Sequence, residues 1–109
     1  MPPKKKLVRI LFMNKIITIL EAKVNAEKWG TLRKAYRAVK AKRSMPMPLQ
    51  SFLLQMKETP KLWRIITVWE SMEVLQKMRS SGKTPAGILI FREAGVEPTL
   101  SIFEAKEEI

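Results

Sequence analysis

Among its 109 residues the chain has no cysteine and no histidine. The first absence removes disulfides, thiolate metal sites and thiol nucleophiles, so the fold is independent of redox compartment. The second removes imidazole as a base, a metal ligand or an axial haem ligand, so no metal site and no cofactor are expected. No apolar run approaches the roughly 18 residues of a membrane span, and the basic start of the chain has no small-residue cleavage site after its short apolar patch. No membrane partner is therefore expected, and the cytoplasm is the expected location.

A chain of this length makes one domain with a modest core of its own. Its formal net charge of +11 is unevenly placed, because residues 1 to 43 hold 13 Lys or Arg against Glu21 and Glu27 while the remainder is balanced. Lys4, Lys5, Lys6 and Arg9 lie in an extension over residues 1 to 12, which also carries the apolar run Leu7 to Phe12. Lys28, Arg33, Lys34, Arg37, Lys40, Lys42 and Arg43 fall on the first helix and its exit. Such a field attracts nucleic acid or anionic lipid, or simply keeps a protein soluble, and solubility is the simplest reading.

The run Leu62 to Ser71 is the clearest local signal. Leu62, Trp63, Arg64, Ile65, Ile66, Thr67, Val68 and Trp69 suit a strand, and Ser71 suits the cap of a helix beginning at Met72. Period 2 sets Trp63, Ile65, Thr67 and Trp69 against Leu62, Arg64, Ile66 and Val68, so both faces are mostly apolar. Strand 1 is expected over 16–24, with Ile17, Ile19, Glu21 and Lys23 sharing one face. Asn25 is the expected cap of helix 1, whose inward stripe is Trp29, Leu32, Tyr36 and Val39, with Ala35 between. Pro46 and Pro48 end that helix. Strand 2 is expected over 49–57, alternating Phe52, Leu54 and Met56 against Ser51, Leu53 and Gln55. A helix using Val74, Leu75 and Met78 inward follows strand 3 and stops near Gly82. Thr84 and Pro85 then start a short helix with Ile88, Leu89, Phe91 and Arg92 as its body, ended by Gly95, before strand 4 over 99–105.

This order is the split βαβ arrangement: an α+β, ferredoxin-like domain over 13–109, with a four-stranded antiparallel sheet and helices on one face. Helices on one face leave the other open, and the apolar residues there call for a cover. The simplest cover is a second copy, so a homodimer through the open sheet face is expected, two subunits closing a dimeric α+β barrel. RNA-binding sheets of related order stack bases on that same face, but here it is needed for dimerisation and no Lys/Arg-Gly-Phe/Tyr signature is present, so nucleic acid is not an expected partner.

Trp69-Glu70-Ser71 with Glu73 beyond it, the strand from Ile16 to Lys23 before a helix, and the closing strand from Leu100 to Ala105 together resemble the antibiotic biosynthesis monooxygenase (ABM) family. The resemblance covers about residues 13 to 106 and implies a cavity between sheet and helices, where several members oxidise phenols with O₂ and no cofactor. It places Trp69 at the family's strand-end tryptophan and Met78 where many members have histidine, and strand 1 offers Thr18, Glu21 and Lys23 where members have an asparagine. His-dependent haem degradation is disfavoured.

Cofactor-independent oxygenation of a phenol or hydroquinone needs an apolar cavity, a group to take a proton and donors for reduced oxygen. The candidate catalytic residues are Trp69, Tyr36 and Glu21. Trp29, Trp69, Met78, Phe91 and Arg79 are candidate pocket residues for a small aromatic ligand. Thr84, Ala86 and Gly87 form a candidate anion site at a helix start, although Gly87 equally suits close packing on the sheet. Two other functions stay open: a nonenzymatic homodimeric binding or scaffold protein, and a weak nucleic-acid binder through the basic N-terminal part.

Overall fold

The computed structural model describes residues 14–42 and 47–109. The expected extension over 1–12 and most of the helix-ending stretch, residues 44–46, lie outside them. In chain order the elements are β1 (Ile16–Lys23), a 3₁₀ turn (Ala26–Lys28), α1 (Trp29–Lys42), β2 (Gln50–Gln55), β3 (Leu62–Trp69), α2 (Met72–Arg79), α3 (Ala86–Glu93) and β4 (Thr99–Glu104). The sheet order is β2-β3-β1-β4 with every neighbouring pair antiparallel, so β3 is inserted between the two strands that α1 connects. This is the ferredoxin-like α+β arrangement that the element order predicts.

β1 and β3 form the centre, paired without a bulge from Ile16 opposite Trp69 to Lys23 opposite Leu62. Because strand side chains alternate, that register sends Ile16, Leu20, Ala22, Trp63, Ile65 and Trp69 to the helix side, where all six are buried. They divide into two clusters. The larger joins Leu20, Ala22, Val24, Leu32, Trp63, Ile65, Ile90, Phe91 and Ala94, and the smaller joins Ile16, Trp69 and Leu75 with Val74 and Met78 beside them. Phe91, Ile16, Leu32, Leu75 and Val24 are fully buried, and each such side chain contributes about 1.5–3 kcal/mol by leaving water.

The caps divide into kept and lost expectations. Ser71 is buried and its Oγ accepts from Val74 N at 3.3 Å, the capping bond its position predicts. Gly95 adopts φ 82°, with Val96 N–H donating to Phe91 O and Gly95 N–H to Arg92 O, a Schellman closure of α3. Arg92 also pairs with Glu97 beyond that turn; the hydrogen bond first, and the carboxylate charge second, raise the guanidinium pKa. Asn25 makes no side-chain cap, because a 3₁₀ turn intervenes before α1. Thr84 is not a cap either: Pro85 itself stands at the N-cap and α3 starts at Ala86.

On α3, Gly87, Ile90, Phe91 and Ala94 face the sheet at helical spacing, whereas Leu89 is 47% exposed. On α1 the stripe ends at Tyr36, and Val39 is exposed with all of residues 37–42, so the last turns of this helix lie clear of the core. β2 and β4 are slightly shorter than expected, ending at Gln55 and Glu104.

Two glycines of the helical layer should respond oppositely to alanine. A Cβ on Gly87 would stand 2.5 Å from Leu20 Cδ1 in the core, so Gly87→Ala is expected to cost about 1–3 kcal/mol in chemical denaturation. Gly30 has nothing within 4 Å of such a Cβ, so Gly30→Ala should gain about 0.5 kcal/mol from helix propensity.

Candidate functional site

Between the two apolar clusters the helix side of the sheet carries a polar row. Ser51 of β2 is paired with Thr67 of β3, Thr67 with Thr18 of β1, and Thr18 with Ile102 of β4. On one side of this row run Leu53, Ile65, Leu20 and Leu100; on the other stand Trp69, Ile16 and Glu104. The strand period therefore builds a band of hydroxyls across an otherwise apolar surface. Thr18, Thr67 and Tyr36 are half-buried rather than sealed, and Ile102 and Leu100 remain exposed beside them.

Hydrogen bonds tie the band to both clusters. Tyr36 on α1 donates its hydroxyl to Ser51 Oγ at 2.9 Å, and Ser51 Oγ lies 3.4 Å from Thr67 Oγ1. Trp69 Nε1 donates to Thr18 Oγ1 at 3.1 Å. The bond between Ser51 and Thr67 can be donated by either hydroxyl. The hydroxyl proton of Thr18 has no protein acceptor among the described residues, and that of Thr67 has none but Ser51. Side chains paired directly across antiparallel strands have Cβ atoms about 5 Å apart, so one acceptor atom can bridge both hydroxyls.

The structure brings Trp69 and Tyr36 to this band but leaves Glu21 out. Glu21 occupies the opposite face, where Arg64, its direct cross-strand neighbour, donates to its Oε1 at 2.5 Å. Strand period and register together separate Glu21 from Trp69 and Tyr36: an odd position on β1 cannot share a face with Thr18 and Leu20, and the pairing of β1 with β3 puts Trp69 on the face of Thr18. Among the described residues Tyr36 is the one titratable side chain bonded to the band.

The candidate pocket residues are similarly divided. Trp69 and Met78 belong to the smaller cluster, Met78 packing where the resemblance would have histidine. Trp29 belongs to the larger cluster, its Nε1 donating to Val24 O and its ring 6.0 Å from that of Trp63 at 59°. Phe91 is sealed within that same cluster, and Arg79 is exposed at the end of α2. At the start of α3, Thr84 and Ala86 are exposed, but Gly87 makes its close approach to Leu20 and Ile65 of the sheet. Thr67 and Ser51 are functional candidates that the sequence does not single out, and Thr18 is one that it offers only among the polar residues of strand 1. Their signal is a polar residue breaking each inward apolar face at the position that pairing then aligns.

The open face carries Ile17, Ile19, Phe52, Leu54, Ile66, Val68 and Phe103 around the Arg64–Glu21 pair. A shallow depression of about 260 Å³ near Leu54, Met56, Leu62 and Arg64 lies on this face, away from Trp69. Among the described residues no group of His, Cys, Asp or Glu side chains could hold a metal ion, and no helix is long and apolar enough to cross a membrane.

No family model matches the sequence, and no curated protein matches it. Solved structures do match in fold. A provisionally named antibiotic biosynthesis monooxygenase from Caulobacter crescentus aligns over 93% of this chain and 99% of its own, with 21% identity and a TM-score of 0.65. The cofactor-independent oxygenase SnoaB from Streptomyces nogalater aligns over 88% of this chain and 97% of its own at 13% identity and a TM-score of 0.65. A haem-degrading protein from Mycobacterium tuberculosis aligns over 89% of this chain and 97% of its own at 25% identity and a TM-score of 0.62.

The bond from Trp69 to Thr18 gives a direct test of the band. Thr18→Val strands a buried indole N–H, and Trp69→Phe removes its donor, so each should cost about 1–3 kcal/mol. The double variant should cost less than the two together by about 0.5–1.5 kcal/mol, read from a denaturation double-mutant cycle.

Proposed function

We propose that this chain, which has the fold of the antibiotic biosynthesis monooxygenases, binds a small planar aromatic molecule against the hydroxyl band and is a candidate cofactor-independent monooxygenase of a phenol or hydroquinone. The observation that carries the reading is the cross-strand hydroxyl pair Thr18 and Thr67 between two apolar clusters, with the Thr18 donor unspent and that of Thr67 free whenever Ser51 donates to it. A ligand with an oxygen acceptor takes both protons in that arrangement, and Trp69 and Ile102 supply apolar surface on either side. Apolar walls with few, well-placed polar groups are the usual composition of such sites.

The reaction balances without a bound redox group. A hydroquinone and O₂ give a hydroxyquinone and water: one oxygen atom enters the ring, the other leaves as water, and the substrate supplies the electrons. The protein's part is to orient the ring, exclude water and give hydrogen bonds to the developing oxyanion. Tyr36 is the residue placed to relay a proton through Ser51 to Thr67. Haem is not proposed as a ligand, because the chain has no histidine and Met78 is packed against Ile16, Trp69 and Leu75.

The open sheet face is proposed to close against a second copy related by a two-fold axis, which would cover Phe52, Leu54, Ile66 and Phe103. A binding protein without catalysis is the second reading, favoured by the position of Glu21: its ion pair with Arg64 holds this carboxylate on the opposite face from Trp69.

Oxygen uptake with a panel of hydroquinones tests the chemistry. Turnover should fall roughly tenfold or more in Thr67→Val and in Tyr36→Phe, with both variants folded. Quenching of tryptophan fluorescence by the same compounds without oxygen uptake would support the binding-only reading, and neither signal would sink both. In analytical ultracentrifugation the protein should sediment as a dimer, and Ile66→Glu, which puts a charge at the centre of the open face, should yield monomer.

A further inference from the structure

We propose that the outward face of α1 is a binding surface for the phosphate backbone of nucleic acid. Arg33, Lys34, Arg37 and Lys40 recur at helical spacing away from the inward stripe of buried Leu32 and half-buried Ala35 and Tyr36. All four are exposed, as are Gly30, Ala38 and Ala41 between them. The last two turns of the helix bury nothing, so this surface stands clear of the sheet.

Its charge is uncompensated within the chain. All ten acidic residues lie among the described residues, yet no carboxylate is within 4.0 Å of any α1 cation. The ion pairs use Lys15, Arg64, Lys77, Arg92 and Lys106 instead. On α1, Arg33 and Arg37 are four residues apart, and Lys34 and Lys40 each stand three from Arg37. Like charges at those spacings destabilise a helix, and a polyanion laid along the stripe relieves every one of them.

The composition of the face selects the partner. An anionic membrane is held by a basic helix that also inserts apolar side chains, but the apolar stripe of α1 packs inward as far as Tyr36 and leaves only Val39 exposed, too little to insert. An acidic protein surface needs an anchor in a desolvated pocket, and here only glycine and alanine separate the cations. A sugar-phosphate backbone asks only for positive charge and close approach. With no aromatic, Asn or Gln on this face, bases are neither stacked nor read, so binding is independent of sequence. The helix layer lies on the far side of the sheet from the open face, so this surface stays accessible in the proposed dimer.

The test is fluorescence anisotropy of the full chain with a labelled 20-base-pair duplex in 50–200 mM salt. The expected result is binding whose log–log salt slope is at least as steep as about −3, four contacts contributing about 0.9 each, and equal affinity for a scrambled duplex. R33Q/K34Q/R37Q/K40Q should weaken binding at least tenfold at 50 mM salt and flatten the slope by about 3, with helical circular dichroism retained because Gln is a good helix former. Arg37→Gln alone should flatten it by about 1, which keeps the test decisive if the quadruple variant misfolds. Three results overturn the proposal: no duplex binding by the wild type, unchanged binding by the quadruple variant, which would place the contact on the lysines of residues 1–12, or tighter binding to phosphatidylserine vesicles than to duplex at equal salt.

Discussion

The bulge-free pairing of β1 with β3 is the constraint on which the rest of the molecule depends. Eight consecutive pairs leave no freedom in which residues share a face. The same register that lines up Leu20 with Ile65 for the core lines up Thr18 with Thr67 for the hydroxyl band and Glu21 with Arg64 for the opposite face. A slip of one residue would invert all three at once, carrying the ion pair inward and the tryptophans out. Apolar burial on the helix side holds the register, and the polar features are carried along by it.

Much of this architecture was legible in the sequence. β3 runs from Leu62 to Trp69 with Ser71 as its helix cap, as residue type alone predicts, and the element order leads directly to the sheet. The start of α3 was less legible, because Thr84 competes with Pro85 for the cap. Val39 fits the periodicity of α1 but extends past the sheet that would bury it. Periodicity reports which residues share a face; only the lengths of neighbouring elements decide how far that face is covered.

The candidate site was half legible for a related reason. Trp69 stands out by type and position, and Tyr36 by its place on an apolar stripe. Thr18, Thr67 and Ser51 are ordinary strand residues until pairing aligns them, and pairing is a long-range property that no single strand encodes. Glu21 illustrates the converse: the alternation within β1 already separates it from Thr18 and Leu20, but which face Trp69 joins is settled only by the register with β3.

The three tryptophans occupy three chemically distinct settings, which makes them built-in reporters. The indole N–H of Trp29 is bonded to a backbone carbonyl, that of Trp69 to a threonine hydroxyl, and that of Trp63 is buried with no partner among the described residues. In a proton–nitrogen correlation spectrum these give three side-chain signals, with the Trp63 proton at the highest field for want of an acceptor. One chain thus carries separate resonances for the helix–strand junction, the hydroxyl band and the centre of the core, so local events in each can be followed without an attached probe.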